Sequence, residues 1–294
     1  MRKSLKFLPV AVVALTISAS LGSLASAKDD WDSEAARRKA EYIFLEAQSA
    51  YSESTYDKYL SMIDRAYALD SSDVDIAGEW ALISLIDENT DSASAARAYR
   101  MLQRRYVSNP ANMINGRIFA NIALQRKQYR DALRTWEMLD SIYPTRPEPA
   151  LELAKAYLRT YVAGDSSAFD KAMAIYDRIE TGTGKTMDLS SQKINAFYIK
   201  GDTAAVISEL DSLYANAPKD SYTALFVGAH YQYLSKPDKA IKYFDIACEL
   251  DPSNGPAYLS RAKFYNAQGD SAAFDREVFQ ALKCARLDAP TQIE

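Results

Sequence analysis

From about Ser33 onward, apolar residues recur at intervals of three and four, the spacing that keeps one stripe of a helix dry. Ala240, Ile241, Phe244, Ala247 and Cys248 are one such stripe. Sustained alternation of the strand kind is absent. Gly and Pro fall between the periodic segments, where they stop helices. Each segment lasts about three to five turns, which predicts short helices in antiparallel hairpins. The first residues follow a different rule. Arg2, Lys3 and Lys6 precede an apolar run from Leu8 to Leu21, and Ala25-Ser26-Ala27 supplies small residues behind it. That pattern predicts a secretory signal over 1–27 and a mature chain, 28–294, that forms a single domain. The run is short for a membrane span. No Cys follows it, which excludes lipid attachment at a new N-terminal Cys.

The hairpins repeat. Pro110 and Pro144 are 34 residues apart, as are Pro218 and Pro252. Each follows a helix in a similar phrase: Ser108-Asn109-Pro110, Ile142-Tyr143-Pro144, Asn216-Ala217-Pro218 and Leu250-Asp251-Pro252. Helix pairs with this period form solenoids. The stretch Ser221 to Pro252 resembles the tetratricopeptide repeat family, with Gly228, Tyr231, Ala240, Phe244, Ala247 and Pro252 at that family's recurring positions. A second copy carries Phe119, Ala120, Ala132 and Trp136. An N-terminal copy carries Ala47, Tyr56, Ile63 and Ala66, with Ser71 in place of Pro. A fourth opens with Leu153, Ala154 and Tyr157. Its Ala172 and Tyr176 arrive six residues late, so Ala163 to Ser167 should form a longer loop. The last copy keeps Ala262, Tyr265, Gly269 and Ala281 but departs at Phe274. The hairpins around 73–110 and 185–218 are degenerate. The resemblance implies an all-α, right-handed α-solenoid of about seven antiparallel helix hairpins.

Small residues in such a pattern let helices approach closely, large ones fill the space between hairpins, and Pro ends the second helix. One hairpin cannot bury its own stripe, so neighbours must stack. The twenty Tyr are then mostly packing residues with a polar tip at the edge.

Composition adds limits. With 48% hydrophobic and 25% charged residues the chain is globular in type. Two Cys and one His exclude a disulfide scaffold, a zinc cluster and most His-based chemistry. Loss of Arg2, Lys3 and Lys6 with the signal takes the formal net charge from −4, set by 35 basic and 39 acidic residues, to −7. An acidic chain with no basic run longer than Arg104-Arg105 is a poor nucleic-acid binder.

Four features invite chemistry. Gly182-Thr183-Gly184-Lys185-Thr186 imitates a phosphate loop, but Ile179 stands where the first Gly belongs and the preceding segment reads as helix. A turn between hairpins is the better reading. His230 has no Cys or His at ligand spacing and reads as a packed or half-exposed side chain. Cys248 and Cys284, 36 residues apart on second helices of adjacent hairpins, read as buried thiols, although an oxidising compartment would permit a bond. Asp87-Glu88-Asn89 with Asp91 lacks the Gly and distal Glu of a calcium loop and reads as a loop capping a helix near Ser92. No cofactor or metal is expected.

In the family resembled, first helices line a concave face. Carried over, those positions are Arg117 and Asn121, Lys155, Gln232, and Lys263 with Asn266. Arg117 and Asn121 are similar to the basic and Asn pair with which some members hold acidic peptide C-termini. The expectation is a non-catalytic scaffold of the cell envelope, periplasmic or extracellular. It binds a protein or extended peptide with about micromolar affinity. The alternative is a structural or chaperone-like subunit of an envelope assembly; an enzyme fits less well.

Overall fold

The computed structural model describes residues 27–51, 55–86 and 91–288. The signal segment, apart from Ala27, and the acidic stretch Asp87-Glu88-Asn89 lie outside them. The described residues form fourteen α-helices and no strand: α1 (Ala27–Ala50), α2 (Tyr56–Leu69), α3 (Val74–Ile86), α4 (Ser92–Ser108), α5 (Met113–Gln125), α6 (Tyr129–Ile142), α7 (Pro147–Val162), α8 (Ala168–Thr183), α9 (Met187–Lys200), α10 (Thr203–Asn216), α11 (Ser221–Tyr233), α12 (Pro237–Leu250), α13 (Gly255–Ala267) and α14 (Ser271–Asp288). The chain divides between Ala156 and Tyr157 into two compact units. Within the units the hairpin partners α1–α2, α3–α4, α5–α6, α9–α10, α11–α12 and α13–α14 pack on each other, and α2–α3, α4–α5, α8–α9, α10–α11 and α12–α13 join consecutive hairpins. The expected all-α architecture of helix hairpins is observed within each unit.

The turns show why the period is 34. Lys127, Gly201, Ser235 and Gly269 all have positive φ, at 59°, 75°, 54° and 78°. The last three are 34 residues apart. Each sits between the helices of a hairpin. The amide of the next residue reaches back five residues to a carbonyl: Gln128 to Ala123 at 2.7 Å, Asp202 to Phe197 at 2.9 Å, Lys236 to Tyr231 at 2.9 Å and Asp270 to Tyr265 at 3.0 Å. This closure satisfies the last carbonyls of the first helix and turns the chain back. Pro110, Pro144, Pro218 and Pro252 each lie two residues beyond a second helix. Asn112, Asp220 and Asn254 follow three of them by two residues. Their side chains accept the amides of Ile114 and Asn115, Thr223, and Ala257, starting the next first helix. Asp91 caps α4 in the same way, and the hydrogen bonds from Ser94 and Ala93 hold its carboxyl below the ordinary value. Left-handed backbone strains residues with a Cβ. Ser235→Gly should therefore stabilise the fold by about 0.5–1 kcal/mol and Gly201→Ala destabilise it by a similar amount or more, read as opposite shifts of the urea midpoint.

The small and large positions behave as their sizes require. Ala47, Ala66, Ala120, Ala132, Ala154, Ala172, Ala240 and Ala247 are buried, as are Phe119, Trp136, Tyr176, Tyr231 and Phe244. In the last hairpin Ala262 and Ala281 are buried, and near the start of its second helix the buried small residue is Ala273, one residue before Phe274. The six extra residues of the fourth hairpin divide between a longer α7 and the turn at 163–167.

Polar side chains cross-link the hairpins. Tyr tips donate to acids on neighbouring helices: Tyr59 to Glu79 at 2.5 Å, Tyr99 to Asp131 at 2.7 Å, and Tyr231 to Asp211 at 2.5 Å. Burial first, then the adjacent carboxylate, pushes the Tyr59 phenol far above its ordinary value, so it remains a donor. Glu79 also pairs with Arg105 at 3.1 Å. Arg261 of α13 joins Asp245 of α12 at 2.9 Å to Glu277 of α14 at 2.5 Å. Cys248 and Cys284 are free and buried, and burial raises the Cys248 thiol to about 11. That is far from a reactive thiolate at neutral pH.

Candidate binding groove on the first helices of the second unit

Of the segment Gly182 to Thr186, Gly182 and Thr183 close α8, and Gly184, Lys185 and Thr186 form the turn that sets α9. Gly184 ends α8 with φ 81°, and the Thr186 side chain caps α9 by accepting the Leu189 amide at 3.2 Å. Lys185 is held by Glu180 and Glu209, both at 2.7 Å. Burial alone would lower its pKa, but hydrogen bonds to the two carboxylates raise it. Lys193, on the buried side of α9, pairs with Asp177 at 2.7 Å and with Glu180. Ser190 adds a hydrogen bond to Glu209 at 2.7 Å. These contacts fix α9 against α8 and α10. The phosphate-loop lysine of the sequence is thus a structural cross-link.

With its inner face so held, α9 turns Ser191, Asn195 and Tyr198 to one side, at the i, i+4, i+7 spacing of a single helix face. Beside them lies a groove of about 250 Å³, lined by Ser191, Gln192, Ile194, Asn195, Tyr198 and, from α11, His230. His230 Nδ1 and Tyr198 Oη form a hydrogen bond at 3.1 Å. Their rings stack with centroids 5.8 Å apart and 20° between planes. Phe226 lies 4.5 Å from the His230 ring, and Tyr233 meets Tyr198 edge-on at 5.2 Å. Burial lowers the His230 pKa, which keeps the ring neutral at pH 7. The site therefore offers flat aromatic faces beside a hydroxyl and two side-chain amides. It is equipped for hydrogen bonding and apolar contact, the vocabulary of peptide recognition.

The residues carried over from the family resemblance fall in both units. In the first unit, Arg117 is exposed and Asn121 half-buried, four residues apart on α5. Lys155, on α7, pairs with Glu152 at 2.7 Å, so its charge is already matched. In the second unit, Gln232 on α11 and Lys263 and Asn266 on α13 are exposed. Tyr198, Gln232 and Asn266 are successive at 34 residues, as are Asn195, Ala229 and Lys263. The groove residues on α9 thus occupy the same repeat positions as three of the expected ones. Sequence reasoning missed them because the hairpin around 185–218 lacks the family's small residues in phase. Stepping back 34 residues from Gln232 would have found Tyr198. His230, expected to be packed or half-exposed, is half-buried and faces the groove.

Among the described residues, no group of His, Cys, Asp and Glu is placed to hold a metal, and no helix is long and apolar enough to cross a membrane. The hairpins, their left-handed turns and their buried small positions define a tetratricopeptide-like all-α fold. No family model and no curated protein matches the chain. Solved structures do. A tetratricopeptide repeat protein from Parabacteroides merdae is 12% identical, with a TM-score of 0.49 over 87% of this chain and 95% of its own. MamA from Desulfovibrio magneticus is 16% identical, with a TM-score of 0.40 over 62% and 98%. YrrB, described as a tetratricopeptide protein with an unusual peptide-binding site, is 13% identical, with a TM-score of 0.37 over 64% and 93%.

Proposed function

We propose that this chain is a non-catalytic scaffold, exported by residues 1–27 to the cell envelope, that binds a protein or extended peptide along the first-helix faces of its hairpins. The observation that carries this reading is the groove on α9 and α11, where the rings of Tyr198 and His230 and the amides of Gln192 and Asn195 meet in one open surface. An open groove of this size suits a few side chains of an extended segment better than a whole small molecule, which is usually enclosed in a larger cavity. Arg117 and Asn121 form a second candidate contact on α5. Immobilised protein should capture a partner from the native envelope. Asn195→Ala with Gln232→Ala should reduce that capture about tenfold, and Arg117→Ala with Asn121→Ala should also weaken it, with circular dichroism unchanged. Capture indifferent to both pairs removes the proposal.

A second reading, a subunit of an envelope assembly, is favoured by Phe279 and Leu282. They lie three residues apart on the last helix, with 59% and 58% of their surface exposed. A chain that is monodisperse and monomeric on size exclusion speaks against it; insolubility without a partner speaks for it.

A further inference from the structure

Two helices leave a pair of large apolar residues uncovered on one face. On α14 these are Phe279 and Leu282, with 59% and 58% of their surface exposed. On α1 they are Tyr42 and Leu45, with 67% and 49% exposed. Each pair is three residues apart and so lies on one side of its helix. α1 opens the first hairpin and α14 closes the last. Both faces lie where the repeat places its contacts between hairpins. Phe279 and Leu282 stand 34 residues after Asp245 and Cys248, two residues of α12 that meet α13. Arg261 of α13 pairs with Asp245 at 2.9 Å, and Ala257 packs with Cys248 in one core. The register carries over to α14: Ser221 donates to the Ala247 carbonyl, and 34 residues on Gly255 lies beside the Ala281 carbonyl. On the other helix, Tyr42 and Glu46 precede Ala47 by five residues and one, as Ala257 and Arg261 precede Ala262.

Laying α1 of a second copy on α14 as α13 lies on α12 therefore fixes a register. The pairing of Asp245 with Arg261 and of Cys248 with Ala257 runs antiparallel. Transferred, it sets Leu282 on Tyr42 of the second copy, and Phe279 on its Leu45. The same register puts Lys283 opposite Glu41 and brings Arg276 within two residues of the position facing Glu46. All four charged side chains are exposed. Lys283 lies over the Phe279 ring at 5.1 Å and Arg276 touches Glu277 at 3.3 Å, so the two cations flank the apolar pair. The remaining exposed charges do not oppose the match. Asp275 falls opposite Ser49, Arg38 is held by Glu34 at 2.5 Å, and Arg37 and Lys39 fall opposite Ala285 and beyond. An apolar centre between oppositely charged rims is the make-up of a protein–protein contact. Both halves of it are supplied by this chain, in the register that already stacks its hairpins.

Resting on the assembly reading above, we infer that copies of this chain join head to tail, α14 of one on α1 of the next, through Phe279 and Leu282 against Tyr42 and Leu45. The two surfaces are unlike, so each joint leaves one of each free and the assembly grows beyond two copies. Two apolar side chains per helix make a small contact, with association expected at about 10–100 μM. The test is sedimentation velocity of the purified protein from about 1 to about 300 μM, where the mean mass should rise with concentration past that of a dimer. Leu45→Asp and Phe279→Asp, both at exposed side chains, should each weaken association at least about tenfold with circular dichroism unchanged. Mixed in equal amounts, the two variants keep one intact joint and should form a dimer that grows no further. Glu41→Lys should weaken the joint several-fold, and Glu41→Lys with Lys283→Glu should restore it. A parent chain still monomeric at about 300 μM overturns the inference. So does a Leu45→Asp chain that dimerises alone, which places α14 on α14, and so do mixed variants that fail to pair. If the parent is monomeric and its capture from the envelope drops with Phe279→Asp, a different subunit covers α14, and the inference falls while the assembly reading stands. If capture ignores Phe279→Asp as well, both fall.

Discussion

Arg105→Ala is expected to destabilise the first unit by about 3–5 kcal/mol, the cost of leaving a buried charge without its partner. Arg105 sits on α4 and reaches Glu79 on α3 at 3.1 Å and Asp75 at 3.2 Å. Glu79 is only 5% exposed, and its remaining hydrogen bond comes from Tyr59 of α2. Three helices from two hairpins thus converge on one carboxylate. The Arg105 stem also packs against the bare Cα of Gly78, where a side chain would collide with it. Truncation removes the charge, the stem and the cross-link together. The loss is large because a domain of this kind is stabilised by only about 5–15 kcal/mol in total. The diagnostic variant is the double replacement Glu79→Gln with Arg105→Met, which removes both charges and keeps most of the volume. It should recover much of the loss, since an apolar or neutral pair often replaces a buried ion pair with little penalty. Urea unfolding followed by circular dichroism reads both. A single variant within about 1 kcal/mol of the parent would mean that water already reaches Glu79.

Phe244→Ala should cost a similar amount in the second unit, about 3–5 kcal/mol for an aromatic core truncation. The ring is fully buried among Ile194, Val206, Leu210, Val227, Tyr231 and Ala240, which come from four helices. It also lies on Gly228, where an added Cβ would be 2.7 Å from the ring edge and 3.2 Å from the Ala240 carbonyl. Gly228→Ala therefore sets two effects against each other. Helix propensity favours Ala by about 1 kcal/mol, while overpacking costs about 1–3 kcal/mol. The clash should win, and Gly228→Ala should destabilise modestly. Combining it with Phe244→Leu should cost less than the sum of the two single changes, because the smaller side chain frees the space that the methyl needs. Additive losses would show that the two residues do not share that contact. The same core holds Ile194 beside the groove, so Phe244→Ala should also weaken any ligand bound there.

The hairpins were legible because their causes are local. Pro110, Pro144, Pro218 and Pro252 end helices by their own stereochemistry, and buried alanines recur at one period because each hairpin meets its neighbour in the same way. Asp91 announced its capping role by standing before a helical stretch. The groove was less legible. Ser191, Asn195 and Tyr198 lie on a helix whose hairpin departs from the repeat pattern, so the resemblance gave no positions there. His230 had no neighbour in sequence to hint at a role, since its partner Tyr198 lies 32 residues away on another helix. Lys185 was legible only as part of a turn, because its carboxylate partners come from α8 and α10, outside its own stretch of chain.

By itself, the sequence determined the helices, their pairing and their small and large positions, all of which follow from backbone stereochemistry and burial within one or two repeats. Only the tertiary structure decided which Tyr tips meet which acids, that Lys185 and Lys193 serve as cross-links, and that Tyr198, His230 and Tyr233 form a corner beside two amides. Those contacts join residues on different helices, and their geometry depends on how the hairpins stack, which no single stretch of chain encodes.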